Sequence, residues 1–175
     1  MSDFFVSVTP QEAKQRPHLR LSADEADRAD VAARFGLIGI ARLDAELAIA
    51  VSGDVLHVTG TIDAAVTQRC VATGDPVPAR LREPVDVRFV PNVRLEAATP
   101  EAEVELGGDE MEVIGYDGGR AAIGEMVAET LSLALGPYPR SAGADAWLAE
   151  KGVKNEEEAG AFGALAALRD QLKKG

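Results

Sequence analysis

Hydrophobic and polar positions change period along this chain, and the changes mark its elements. In residues 41–51, Ala41, Leu43, Ala45, Leu47, Ile49 and Val51 alternate with Arg42, Asp44 and Glu46. A period of two predicts a strand with one buried face. Gly53-Asp54 suits a tight turn. Beyond it, Leu56, Val58, Ile62, Ala64 and Val66 share one face, and His57, Thr59, Thr61, Asp63 and Thr67 share the other. The two runs predict a hairpin. Residues 77–94 alternate again, with Val77, Ala79, Leu81, Val85, Val87 and Phe89 on the odd face. Arg80, Arg82, Asp86, Arg88 and Arg94 take the even face, with Pro78 and Pro84, which suggest an edge strand or a bulge.

The remaining segments predict helices and short strands. FFVSV (4–8) reads as a strand. Ser22 and Glu25 have capping-box spacing, Leu21 and Ala26 sit at the staple positions and Gly36 closes the run, predicting a helix over about 23–35. EAEVE and MEVI, within 97–119, read as short strands joined by a loop. Ile123, Met126, Val127, Thr130, Leu131 and Ala134 return to helical spacing until Gly136-Pro137. Residues 141–154 read as a linker. Residues 155–175 read as a last helix with Asn155 as N-cap and Lys173 and Lys174 at its end. Together these predict an α+β fold: an antiparallel sheet with an N-terminal helix, a helix after the strands and a C-terminal helical tail. Residues 1–140 form a single α+β domain in this reading. Residues 141–175 are a linker and a helix that docks on it or orders on a partner.

Charge narrows the function classes. The 175 residues carry a formal charge of −11, which argues against bulk attachment to nucleic acid or anionic membrane. The balance is uneven. Residues 67–94 hold Arg69, Arg80, Arg82, Arg88 and Arg94 against Asp75, Glu83 and Asp86, a net +2, whereas residues 100–130 come to −8. A locally basic strand in an acidic protein can contact phosphate selectively, since the planar arginine fork pairs bidentately with it. The competing arrangement pairs these arginines with neighbouring carboxylates. The N-terminus has no signal-peptide pattern, and no run reaches the ~20 apolar residues of a membrane helix, so a cytoplasmic location is expected.

Catalytic and metal signals are sparse. Cys70 is the only cysteine, and with His18 and His57 it lacks the paired spacing of a structural zinc site. No metal or other cofactor is expected. A nucleophilic Cys70 would need a base. Arg69 could lower its thiol pKa, but His57 falls on the outer face of a strand. A small buried residue at the root of the Gly74-Asp75-Pro76 turn is the simpler reading. Phosphate-loop motifs are absent, and Gly118-Gly119-Arg120 before a helix reads as a turn rather than an anion site.

Two stretches resemble a known family. TQRCVATGDPVPARLREPVDVRFVP (67–91) is similar to the signature segment of the YceD family, with Arg69, Cys70, the turn VATGDP and Phe89 at the matching positions. GEMVAETLSLALGPYPR (124–140) resembles the family's amphipathic helix, and AFGALAALRDQL (161–172) its short C-terminal helix. Thr67 stands where many members carry the first cysteine of a C-x-x-C, and Ala122 where an acidic residue is common. The first departure leaves no thiol pair for redox or zinc chemistry. The resemblance implies a non-enzymatic role in large ribosomal subunit biogenesis, through accumulation or processing of large-subunit rRNA. Arg80, Arg82 and Arg88, with Arg69, are then the expected RNA contacts. The partner is that rRNA, or a ribosomal or processing protein bound to it, and neither DNA nor membrane is expected. The alternative is a protein-only adaptor that binds a basic partner through the acidic surface and the C-terminal helix.

Overall fold

A computed structural model describes residues 4–97 and 112–153. The fold is α+β, and the chain divides into two units. The first unit runs to Gln68 and resumes over Pro78–Pro137. Apart from Arg69 and Pro76–Val77, it holds a five-stranded sheet of order β2-β3-β4-β5-β6: β2 (His18–Ser22), β3 (Gly39–Ser52), β4 (Val55–Arg69), β5 (Pro76–Pro91) and β6 (Glu112–Tyr116). β1 (Ser7–Val8) pairs antiparallel with β7 (Ala121–Ala122). Helices α1 (Pro10–Gln15) and α2 (Glu25–Arg34) pack on β3, and α4 (Ile123–Ala134) packs on β1. The short α3 (Asn92–Ala97) follows β5.

The hairpin follows its hydrophobic parity. β3 and β4 pair antiparallel from Ser52↔Val55 back to Gly39↔Thr67. Leu43, Leu47, Ile49, Leu56, Val58, Ile62 and Val66 are buried, as are Val85, Val87 and Phe89 on β5. They form one core with Val31 of α2 and with Ile123, Met126, Val127 and Leu131 of α4. These α4 positions recur at the three- and four-residue spacing of a helix face. One position departs from the alternation. The register shifts between Ile40 and Arg42, so Ile40 is buried and Ala41 is exposed. The bulge inserts one residue and flips the face on which its neighbours lie.

The N-terminal region differs from its sequence pattern for a specific reason. Ser22 does not cap a helix. It ends β2, which pairs antiparallel with β3, and its hydroxyl donates to Asp44 Oδ1 at 2.6 Å. Asp24 caps α2 instead: Asp27 N–H donates to Asp24 Oδ1 (2.9 Å), and Asp24 N–H to Asp27 Oδ2 (3.0 Å). Two acidic side chains exchange these bonds in place of the serine-glutamate pair. An equivalent box between Thr9 and Glu12 starts α1, which was not evident from hydrophobic spacing.

One pairing in the sheet is parallel. β6 lies beside β5 with Val87↔Glu112 and Pro91↔Tyr116 in register. A parallel neighbour requires a long connection, and β5 and β6 are far enough apart in sequence to allow one. EAEVE, read as a strand, lies outside the described residues. The strand pattern of 77–94 stops at Pro91, and Arg94 instead sits on α3 and pairs with Asp54 at 3.1 Å. β6 meets only the end of β5. On the side away from β4, residues 76–86 of β5 have no strand neighbour among the described residues. Pro78 and Pro84 fall in this open stretch, where no ladder N–H is required.

Gly124 fixes the approach of α4 to the N-terminal segment. Its N–H donates to Val6 O (3.2 Å), and a Cβ there would come within 2.1 Å of Phe4 O and 2.7 Å of Phe5 Cα. Gly124→Val is therefore expected to cost about 1–3 kcal/mol through overpacking, read as a lower denaturation midpoint. An unchanged midpoint would show that the segment moves aside freely.

The second unit joins Arg69–Val77 to the segment from Tyr138. It contains α5 (Ala144–Glu150), where the sequence pattern suggested a linker. Ala144 is fully buried, and Arg140 pairs with Asp145 at 2.9 Å. The helix expected over 155–175 lies outside the described residues.

Candidate nucleic-acid interface

β5 sorts its side chains by parity. Val85, Val87 and Phe89 face the core, and Arg80, Arg82, Asp86 and Arg88 are exposed. The three arginines share one face of one strand. Successive same-face residues lie about 6.5–7 Å apart along a strand, so Arg80 and Arg82 are neighbours and Arg88 stands about 20 Å further on.

The question left by charge alone was whether carboxylates neutralise these arginines. Elsewhere on the unit they do. Arg20 pairs with Glu46 (3.4 Å), Arg42 with Asp44, Arg94 with Asp54, and Arg34 with Glu125 and Glu129. Arg120 reaches Ser7 O (2.5 Å) and Glu12 (3.1 Å). It thus ties the Gly118-Gly119 turn, with φ of 61° and 70°, to the N-terminal segment. Arg80, Arg82 and Arg88 form no ion pair among the described residues. The nearby carboxylate on their own face, Asp86, is taken by His57, whose Nε2 lies 2.6 Å from Asp86 Oδ1. That pair was not identified from the sequence. Both residues had the outward parity, but nothing in the sequence set the register between their strands.

Arg69 belongs to the second unit. It is exposed, and its guanidinium donates to Gly74 O at 3.5 Å. Cys70 and Phe89, the other positions of the resemblance, are both buried at 2% exposure. Phe89 is a core residue of β5.

Cys70 lies at the root of its turn with its backbone fully used. Its N–H donates to Asp75 O (2.7 Å), and its carbonyl accepts from Gly74 (2.9 Å). The sulfur accepts from Thr73 N–H (3.4 Å), Ser141 N–H (3.3 Å) and Ser141 Oγ (3.5 Å). Hydrogen bonding from Thr73, then from Ser141, lowers the thiol pKa from 9.0 to about 6, against an opposing push from burial. Arg69 is not a cause of this shift. Ser141 was missed in the sequence because 71 residues of chain separate it from Cys70, and Thr73, within the VATGDP turn, carries no signal of its own there. A thiol pKa depressed by folding has a definite linkage. Between about 6 and 9.0 the native state holds thiolate and the unfolded state holds thiol. Stability from this group is therefore present at high pH and lost as pH falls through about 6. Wild type should gain thermal stability from pH 6 to pH 9 relative to Cys70→Ser, compared in paired melts. Parallel pH profiles for the two proteins would contradict the assignment.

No group of three His, Cys, Asp or Glu side chains suited to a metal occurs among the described residues. No described helix is long and apolar enough to cross a membrane. Comparison with protein-family models, curated proteins and solved structures finds no match.

Proposed function

We propose that this protein is a non-enzymatic cytoplasmic factor in large ribosomal subunit biogenesis, supporting accumulation or processing of large-subunit rRNA. The observation that carries the reading is the row of Arg80, Arg82 and Arg88, exposed on one strand face and without a carboxylate partner among the described residues. The planar guanidinium fork matches phosphate geometry bidentately, so less side-chain freedom is lost per hydrogen bond formed. The −11 charge of the whole chain keeps general nucleic-acid attachment weak, so binding depends on this face. The resemblance of residues 67–91 and 124–140 to the YceD family supports rRNA of the large subunit as the target.

Crosslinking in cells, followed by sequencing of the recovered RNA, tests the reading. Large-subunit rRNA should be enriched over small-subunit rRNA, and the enrichment should disappear in the Arg80/Arg82/Arg88→Ala variant. If ribosomal proteins are recovered undiminished after complete nuclease digestion and no rRNA is enriched, the protein-only adaptor is the correct reading.

A further inference from the structure

A hollow of about 510 Å³ opens on the arginine-bearing face where β3 turns into β4. Its volume lies within the ~300–1,000 Å³ of small-ligand sites. Ala50, Val51, Val55 and Val90 line it with apolar surface, and Ser52, His57 and Arg88 complete its wall. This composition departs from the rest of the face. Elsewhere β4 presents Thr59, Thr61 and Asp63 outward, whereas here Val55 and Val90 occupy outward positions and are half-buried.

Two of the polar members, His57 and Arg88, are set up differently. His57 is tied to Asp86 at 2.6 Å, which orients its ring. Arg88 has no ion-pair partner among the described residues. An apolar floor, an oriented imidazole and an unpaired guanidinium suit a ligand that is flat and apolar at one end and anionic at the other. A nucleotide has this form. Unpaired bases stack on histidine rings and guanidinium planes, and the phosphate satisfies the cation. Bases inside a duplex are stacked on one another and cannot enter.

We propose that this hollow receives one unpaired nucleotide of an RNA single strand. The base lies on the apolar floor against His57, its phosphate meets Arg88, and the strand continues past Arg82 and Arg80. The inference rests on the proposed function and specifies its ligand as single-stranded RNA. Arg80 to Arg88 spans about 26 Å of strand, enough for a short run near the lower end of the ~4–16 nucleotides of single-strand sites.

The test uses the full chain and fluorescence anisotropy with two probes at one ionic strength: a mixed-sequence 12-nucleotide RNA and its blunt duplex. The single strand should bind at least 10-fold more tightly. Ala50→Leu fills the hollow without changing charge, and His57→Asn removes the ring but keeps a donor for Asp86. Each should weaken single-strand binding about 10-fold and leave duplex binding within twofold, with circular dichroism unchanged. Equal affinity for the two probes, or no effect of either variant, would overturn the proposal. If the Arg80/Arg82/Arg88→Ala variant then still loses both RNAs, only the hollow is wrongly assigned. If that variant also binds as wild type does, the RNA-binding reading of the face falls with it.

Discussion

The Arg80/Arg82/Arg88→Ala variant is expected to bind large-subunit rRNA fragments about 100-fold more weakly than wild type while keeping its fold. The three side chains are exposed and form no ion pair among the described residues, so their removal strands no buried charge. Surface substitutions of this kind change stability by about 0.5 kcal/mol or less each. The effect on binding is larger. A phosphate contact of this type contributes about 1 kcal/mol net, and three together come to about 3 kcal/mol, or roughly 100-fold. Intact affinity with an intact fold would remove these arginines from the interface. Loss of affinity together with a lower melting temperature would instead indicate damage to β5.

Phe89→Ala is expected to have the largest effect on stability. Phe89 is 2% exposed and packs in the core that joins the sheet to α4. Truncating a buried phenylalanine costs about 3–5 kcal/mol, a large share of the ~5–15 kcal/mol that holds a domain together. Urea denaturation should show a sharply lower midpoint. RNA affinity measured well below that midpoint should remain near wild type, because Phe89 faces away from the arginines. A small change in midpoint would mean that the core collapses around the cavity. The aromatic residue of the 67–91 resemblance thus has a structural explanation: it anchors the strand whose other face carries Arg88.

The central hairpin and the two faces of β5 were legible because parity alone decides them. Leu56, Val58 and Ile62 can all be buried only if His57, Thr59 and Asp63 face the other way. α4 was legible from its apolar stripe for the same reason. The misreadings occurred where a local choice depended on something distant in the chain. The bulge at Ala41 is set by pairing with Ala65 and Val66, which residues 40–42 do not encode. Ser22 had the local pattern of a helix cap, but pairing with Asp44 drew it into β2. The parallel placement of β6 depends on a crossover rather than on its own five residues.

The candidate site divides in the same way. Exposure of Arg80, Arg82 and Arg88 followed from alternation. Their lack of carboxylate partners did not, since Glu83 and Asp86 lie close in sequence and only tertiary pairing shows that Asp86 is committed to His57. Cys70 was correctly expected at a turn root, and its burial follows from that position. Of the donors around its sulfur, Thr73 is local to the turn and Ser141 is remote in the chain, so only part of the cause of its depressed pKa lay within the local sequence.

The most direct measurement is the salt dependence of binding to a large-subunit rRNA fragment, for wild type and for Arg80/Arg82/Arg88→Ala, from 50 to 300 mM monovalent salt. Three phosphate contacts on a single strand predict a log–log slope of about −2. Wild type should show this slope, and the variant's residual binding should be nearly flat. Equal slopes for the two proteins would place the phosphate contacts elsewhere and contradict the assignment of the arginine strand.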